Sequence, residues 1–267
     1  MKKLLLSLLT VTLLAGCTAN NDMTTQPQSI DKNAPITRGQ AVKMLALSRY
    51  SDEEISALPR VVSLSDSDIS NWCDKYINAA VTAGLISGTQ ENTFLQNDPL
   101  SLEQADFILK KAAPDKNLVL QYAREDRKKP VSSDIWFQAF DAIDDKTVDK
   151  EIVILADSNL CSDLSDNYVL SSEGLLCRDG VDIPREYIGC GLKVCMRDKN
   201  ILAVKEVTDK SPIIKNAVVE TIFDDGIIFN IKGCHIFYGC APDSLGAKEG
   251  NTMDIKTENG RIISIAA

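Results

Sequence analysis

The 267 residues contain a single histidine, His235, and it directly follows Cys234. A cysteine–histidine nucleophile or a small metal site could be imagined there. Cysteine is plentiful: Cys17, Cys73, Cys161, Cys177, Cys190, Cys195, Cys234 and Cys240. The spacings Cys190-x4-Cys195 and Cys234-x5-Cys240 are not the C-x2-C of zinc knuckles. On a strand, Cys190 and Cys195 would also face opposite sides. The seven cysteines besides Cys17 cannot all pair within the chain. Export favours disulfides, while a buried thiol acting as a small hydrophobe is the default. No G-x-S-x-G, H-E-x-x-H, Walker A or G-x-G-x-x-G pattern occurs. The carboxylate pairs Glu53-Glu54, Asp144-Asp145 and Asp224-Asp225 fall in turn or helix-surface contexts. The expectation is a non-enzyme with no catalytic residue, no metal and no cofactor.

The chain opens "MKKLLLSLLTVTLLAGC". Lys2 and Lys3 form a positive head, and the apolar run from Leu4 to Ala15 is too short to span a bilayer, which needs about 20 residues. Leu14-Ala15-Gly16-Cys17 resembles a bacterial lipobox. That resemblance implies cleavage before Cys17 and a diacylglyceryl group on its sulfur, with two acyl chains giving stable anchoring. Residues 1–17 are thus expected to be a lipoprotein signal. Residues 18–35, almost without large apolar side chains, read as a polar tether. The expected location is the extracellular face of the cell membrane. A net charge of −9 argues against nucleic acid, whose affinity comes from Lys and Arg on phosphate. It likewise leaves the lipid, not surface charge, to hold the membrane.

From residue 36 to about 145 the pattern is helical. Thr37 with Gln40, and Ser101 with Gln104, make two capping boxes. Aligned on them, Ile36 matches Leu100, Ala41 matches Ala105 and Leu45 matches Leu109, which suggests a repeated unit. Between them Trp72, Tyr76, Ala79, Ala80 and Ala83 share a helical stripe that ends at Gly84. Trp136, Phe137 and Phe140 have core-like spacing on a further helix. From 146 to 267 the texture becomes short β-branched runs separated by Arg178-Asp179-Gly180, Asp225-Gly226 and Asn259-Gly260. This predicts an α+β chain: a helical domain over 36–145, then an all-β small barrel or sandwich over 146–267.

The stretch "DISNWCDKYINAAVTAGLISGTQENTFLQNDPLSLEQA" resembles an S-layer homology (SLH) module, with one full module over residues 62–113. "ITRGQA" at 36–41 resembles the second half of a preceding one. Trp72, Gly84, Gly88, Phe94, Pro99 and the cap at Ser101 carry the likeness; Asn92 stands where a glycine is usual. The resemblance implies three modules packed as a pseudo-trimer that bind anionic secondary cell-wall polysaccharide. In that picture Arg38 meets a carboxylate or hydroxyls of the glycan, Trp72 forms a sugar-facing wall, and Gly84 and Gly88 shape the loop. Leu102 occupies the Arg position of the second copy. For Trp72 and Phe94 a core role stands beside ligand contact, and for Arg38 a solvated first turn stands beside a ligand role.

More widely, "NAVVETIFDDGIIFNI" and "GNTMDIKTENGRIISI" after an SLH-like region are similar to the non-catalytic N-terminal part of clostridial proteins bearing a stage II sporulation protein D type domain. The leading expectation is a non-enzymatic envelope lipoprotein whose partners are membrane lipid through Cys17 and a wall polysaccharide or envelope protein. The alternative is an accessory or truncated relative of such a peptidoglycan-processing protein, without its catalytic domain.

Overall fold

The computed structural model describes residues 30–66, 71–87, 93–116, 118–258 and 260–265. The lipobox with Cys17, most of the tether, Gly88 and Asn92 lie outside the described residues.

Among the described residues five α-helices precede the strands: α1 (Arg38–Arg49), α2 (Asp52–Ala57), α3 (Asp74–Thr82), α4 (Leu102–Ala112) and α5 (Ser133–Asp141). Both capping boxes form, at Thr37–Gln40 and Ser101–Gln104. Ser132 caps α5 in the same way through the Ile135 amide. Helix α3 ends in a Schellman turn: the Leu85 amide donates to Ala80 and the Gly84 amide to Val81. Gly84 sits at φ +70°, where a Cβ costs roughly 1–2 kcal/mol.

The starts of α1, α4 and α5 meet at one point. The Ile36 amide donates to the Val131 carbonyl (3.2 Å), the Leu100 amide to Ile36 (2.9 Å), and the Val131 amide to Leu100 (2.8 Å), which closes a ring. The next residues repeat the pattern. Arg38, Leu102 and Ser133 donate to Asp98, Lys129 and Ala34, and Gly39, Glu103 and Asp134 donate to Gln96, Arg127 and Lys32. Each helix therefore gives its unpaired first-turn amides to the segment that enters another. The starts share one sequence form, "PIT", "PLS" and "PVS", with proline at 35, 99 and 130. Sequence alignment on capping boxes found two of these starts; the third lacks the Gln.

The β-rich segment folds as two closed five-stranded barrels. The first holds β1 (Val148–Ala156), β2 (Tyr168–Ser171), β3 (Gly174–Cys177), β4 (Gly191–Arg197) and β5 (Asn200–Asp209) in the order β1-β2-β3-β5-β4. The second holds β6 (Ile213–Phe223), β7 (Gly226–Ile231), β8 (Cys234–Gly239), β9 (Thr252–Glu258) and β10 (Arg261–Ile265), in the equivalent order β6-β7-β8-β10-β9. Each is antiparallel except for one parallel pair, β3 with β5 and β8 with β10. Each also places a short 3-10 turn before its fourth strand, at Arg185–Tyr187 and Pro242–Leu245. This is the Greek-key connectivity of OB-type barrels, and by itself it assigns no function. The interiors merge into one buried cluster, and the buried Tyr238 hydroxyl donates to the Leu155 carbonyl across the pair (2.7 Å).

The helices rest on the first barrel. Cys195, Leu202 and Ala203 belong to the helical core, while Cys190 belongs to the barrel core, the opposite facing that their spacing predicts. Trp72 lies flat on Gly180, where a Cβ would come within 2.2 Å of the ring. Tyr76 donates to Asn200 (3.2 Å) and Gln40 to the Gly180 carbonyl (2.8 Å). At the centre the buried Lys43 ammonium donates to the carbonyls of Asp179 (2.7 Å) and Ile201 (2.8 Å).

Burial pushes the Lys43 pKa down to about 8, against the pull of Cys177 and Asp179. Between that value and the ordinary lysine range, near 10.4, the unfolded chain holds the extra proton, so stability rises with pH. The stability of the native protein relative to Lys43→Met is expected to increase from pH 8 to pH 10.5, by about 3 kcal/mol in full. Denaturant melts across that range check it; a pH-independent difference would show an ammonium that does not feel the interface.

Candidate functional site

Arg38 is the first residue of α1, and its position follows from the ring. Its amide is tied to Asp98, and its side chain folds over the loop after residue 93. The Nε donates to the Phe94 carbonyl (2.7 Å), and the guanidinium lies 4.8 Å from the centre of the Phe94 ring. Burial lowers its pKa, against the pull of Asp98 and Asp66; a guanidinium nonetheless remains charged. Asp66 fixes the loop from the other side. Its carboxylate accepts from the Phe94 amide (2.8 and 2.9 Å) and the Leu95 amide (2.6 Å). Leu95, at φ +55°, carries the backbone strain that these bonds hold.

Beside Arg38, a groove of about 300 Å³ runs between α1 and α4, with Ile86, Phe94, Glu103, Phe107 and Ile108 among its walls. Phe107 is 52% exposed, off the buried stripe of Ala105, Leu109 and Ala112 on the same helix. An anchored guanidinium and a solvent-facing aromatic on one groove suit an anionic ligand with apolar faces, as a sugar acid has, while the Glu103 carboxylate can accept only from a ligand's hydroxyls. A larger cleft, about 500 Å³, lies between residues 30–36, α5 and the first barrel. Its rim carries Asp31, Asp134, Asp141, Asp182 and Glu186, and its Lys205 is paired with Asp149 and Asp141. That charge opposes an anionic ligand.

The residues singled out in the sequence are thus separated. Arg38 and Phe94 meet at the groove. Trp72 packs against Gly39, Gly180 and Tyr76, on the face that meets the barrel. Gly84 closes α3 and has open space around it. Leu102 and Ser133 hold the positions on α4 and α5 that Arg38 holds on α1. Glu103, Phe107 and Asp66 went unremarked in the sequence; an aromatic off the apolar stripe of α4 was the available signal.

His235 is exposed and pairs through Nδ1 with Glu220 (2.5 Å), which also accepts from Asn230 (3.0 Å). Cys234 is on the other side of β8, packed on the barrel core, so the adjacent residues form no Cys–His dyad. Among the described residues no cluster of three or more His, Cys, Asp or Glu could hold a metal ion.

Residues 64–105 match the family model of the S-layer homology domain. The match takes in α3, the Phe94 loop and the first turn of α4. The chain therefore contains a segment with the S-layer homology signature, a non-catalytic type of module associated with the cell envelope. Comparison with curated proteins and with solved structures gives no match.

The Asp66 clamp has a pH signature. Burial would raise its carboxyl, but the Leu95 and Phe94 amides and Arg38 together hold it below the ordinary carboxylate value. The stabilisation is then present above that value, near 3.9, and lost as pH falls through the folded one. The thermal midpoint of the native protein is expected to exceed that of Asp66→Asn at pH 6, the gap narrowing below pH 4. A constant gap would remove the carboxylate from the clamp.

Proposed function

We propose that this protein is a lipid-anchored envelope protein on the extracellular face of the membrane, and that its Arg38 groove binds an acidic wall polysaccharide. The observation that carries the reading is Arg38 itself. Among the described residues its Nε alone is committed to a protein carbonyl, and Phe94, Glu103 and the exposed Phe107 line the groove beside the guanidinium. A carboxylate of the polymer would take the guanidinium and a sugar face would cover Phe107. The Phe94 loop fixes the guanidinium in advance, so little side-chain entropy is lost on binding. Trp72 serves the joint with the barrel, and Gly84 the turn that sets the loop. The lipid on Cys17 holds the chain to the membrane while the groove holds the wall.

The replacement of arginine by Leu102 and Ser133 at the two equivalent helix starts favours a second reading, an accessory protein whose helical unit and barrels contact an envelope protein. One experiment separates them. The mature protein is sedimented with purified, pyruvylated wall polymer, beside Arg38→Ala and Phe107→Ala. Binding that falls roughly tenfold or more in Arg38→Ala, the worth of one charge-assisted hydrogen bond, supports glycan recognition. No sedimentation, or none lost on substitution, sinks it. In cell fractions, Cys17→Ala is expected to leave the membrane pellet.

A further inference from the structure

The starts of α1 and α4 meet their loops through equivalent backbone bonds, but the charges are exchanged. At α1 the cation is on the helix: Arg38 and Gly39 donate their amides to Asp98 and Gln96. At α4 Leu102 and Glu103 donate to Lys129 (3.0 Å) and Arg127 (2.9 Å). The carboxylate is now on the helix, and two cations take the loop positions of Asp98 and Gln96. This loop, residues 124–129, carries Arg124, Arg127, Lys128 and Lys129 against Glu125 and Asp126, in a chain of net charge −9. All four cations are exposed. Lys129 pairs with Asp126 (2.7 Å), and Arg127 stands 3.9 Å from Glu103. Among the described residues no carboxylate pairs with Arg124 or Lys128. An open hollow of about 500 Å³ is lined by Arg124, Glu125, Arg127 and Lys128. Glu103, beside Arg127, also lines the Arg38 groove, so the hollow and the groove border one another there.

We propose that the loop 124–129 is a second anion site, which takes a further acidic residue of the polymer that fills the Arg38 groove. The inference rests on the glycan reading of that groove. The guanidinium groups of Arg124 and Arg127 offer planar, paired donors to a carboxylate, and Lys128 adds a point charge. The backbone holds the loop as a tight turn, since the Asp126 amide donates to Ala123 (2.9 Å) and the Lys129 amide to Asp126 (2.7 Å). A polymer already seated in the groove reaches the loop without a second loss of translational freedom. Glu103, between the two, repels a carboxylate and accepts from hydroxyls, so the acidic residues of the ligand flank it. The arginine missing at Leu102 is thereby offset from the opposite side of the same helix start. The ligand this implies carries acidic residues at intervals along its length; a single sugar acid fills one site only.

Affinity electrophoresis of the full chain in purified, pyruvylated wall polymer, and in polygalacturonate as a plain polymer of sugar acids, tests the site. Arg124→Ala/Lys128→Ala is compared with Lys215→Ala/Lys248→Ala, two exposed lysines of the second barrel whose loss changes the net charge equally. The loop pair is expected to lower affinity roughly three- to tenfold, the control pair to leave it unchanged, and the loop pair with Arg38→Ala to fall below either alone. A loop pair that binds both polymers like the native protein overturns the proposal. So does an equal loss in the control pair, which would assign the effect to net charge. The two sites fail separately. Loss in Arg38→Ala but not in the loop pair removes the loop site alone. Loss in the loop pair but not in Arg38→Ala removes the groove and leaves the loop as the anion site. If only polygalacturonate binds, and the loop pair weakens it, the loop site stands and the wall reading of the groove falls.

Discussion

The ring of backbone hydrogen bonds among Ile36, Leu100 and Val131 is the constraint on which the helical half depends. A helix start leaves amides unpaired, and burying them without partners costs about 1–3 kcal/mol each. Here three starts are buried together, and each supplies carbonyls for another's amides. The three side chains at the ring are almost fully buried, at 2%, 2% and 0% exposure, so water cannot replace a missing member. Segments far apart in sequence must therefore assemble at once. The proline before each start has no amide to satisfy and favours the extended approach that the ring needs.

From the ring the rest follows outward. It fixes the direction of α1, which aims Arg38 into the groove on one side and Gln40 and Lys43 at the first barrel on the other. The barrel answers with backbone carbonyls at Asp179, Gly180 and Ile201 and with a bare glycine under Trp72. A lysine buried for two carbonyls is an expensive contact, yet it specifies one docking geometry. The two barrels in turn share a core, so the groove stands on a continuous packed body.

Much of this was legible in the sequence, and the gaps have physical causes. The capping boxes gave the starts of α1 and α4, the stripe from Tyr76 to Ala80 gave α3, and Gly84 gave its end. The change of texture near 145 falls between α5, ending at Asp141, and β1, beginning at Val148. The start of α5 was hidden because Ile135 stands where the other two have glutamine, although Pro130-Val131-Ser132 repeats the form. A single β domain was expected where two barrels occur, because closure depends on pairings such as β1 with β4 that short strands do not announce. Trp72 had two open roles in the sequence, and its packing against Gly180 comes from a loop distant in the chain. The groove was half legible: Arg38 stood out by resemblance, while Phe107 and Asp66 gain meaning only once α4 and the Phe94 loop are placed.

The ring can be measured directly by amide hydrogen exchange of Ile36, Leu100 and Val131 in rising denaturant. If the three starts form one cooperative unit, their opening free energies converge on a single value, the highest in the helical half. If Val131 exchanges through a separate, low-energy opening while Ile36 and Leu100 stay protected, the ring does not hold the fold together and the account of the helical half fails.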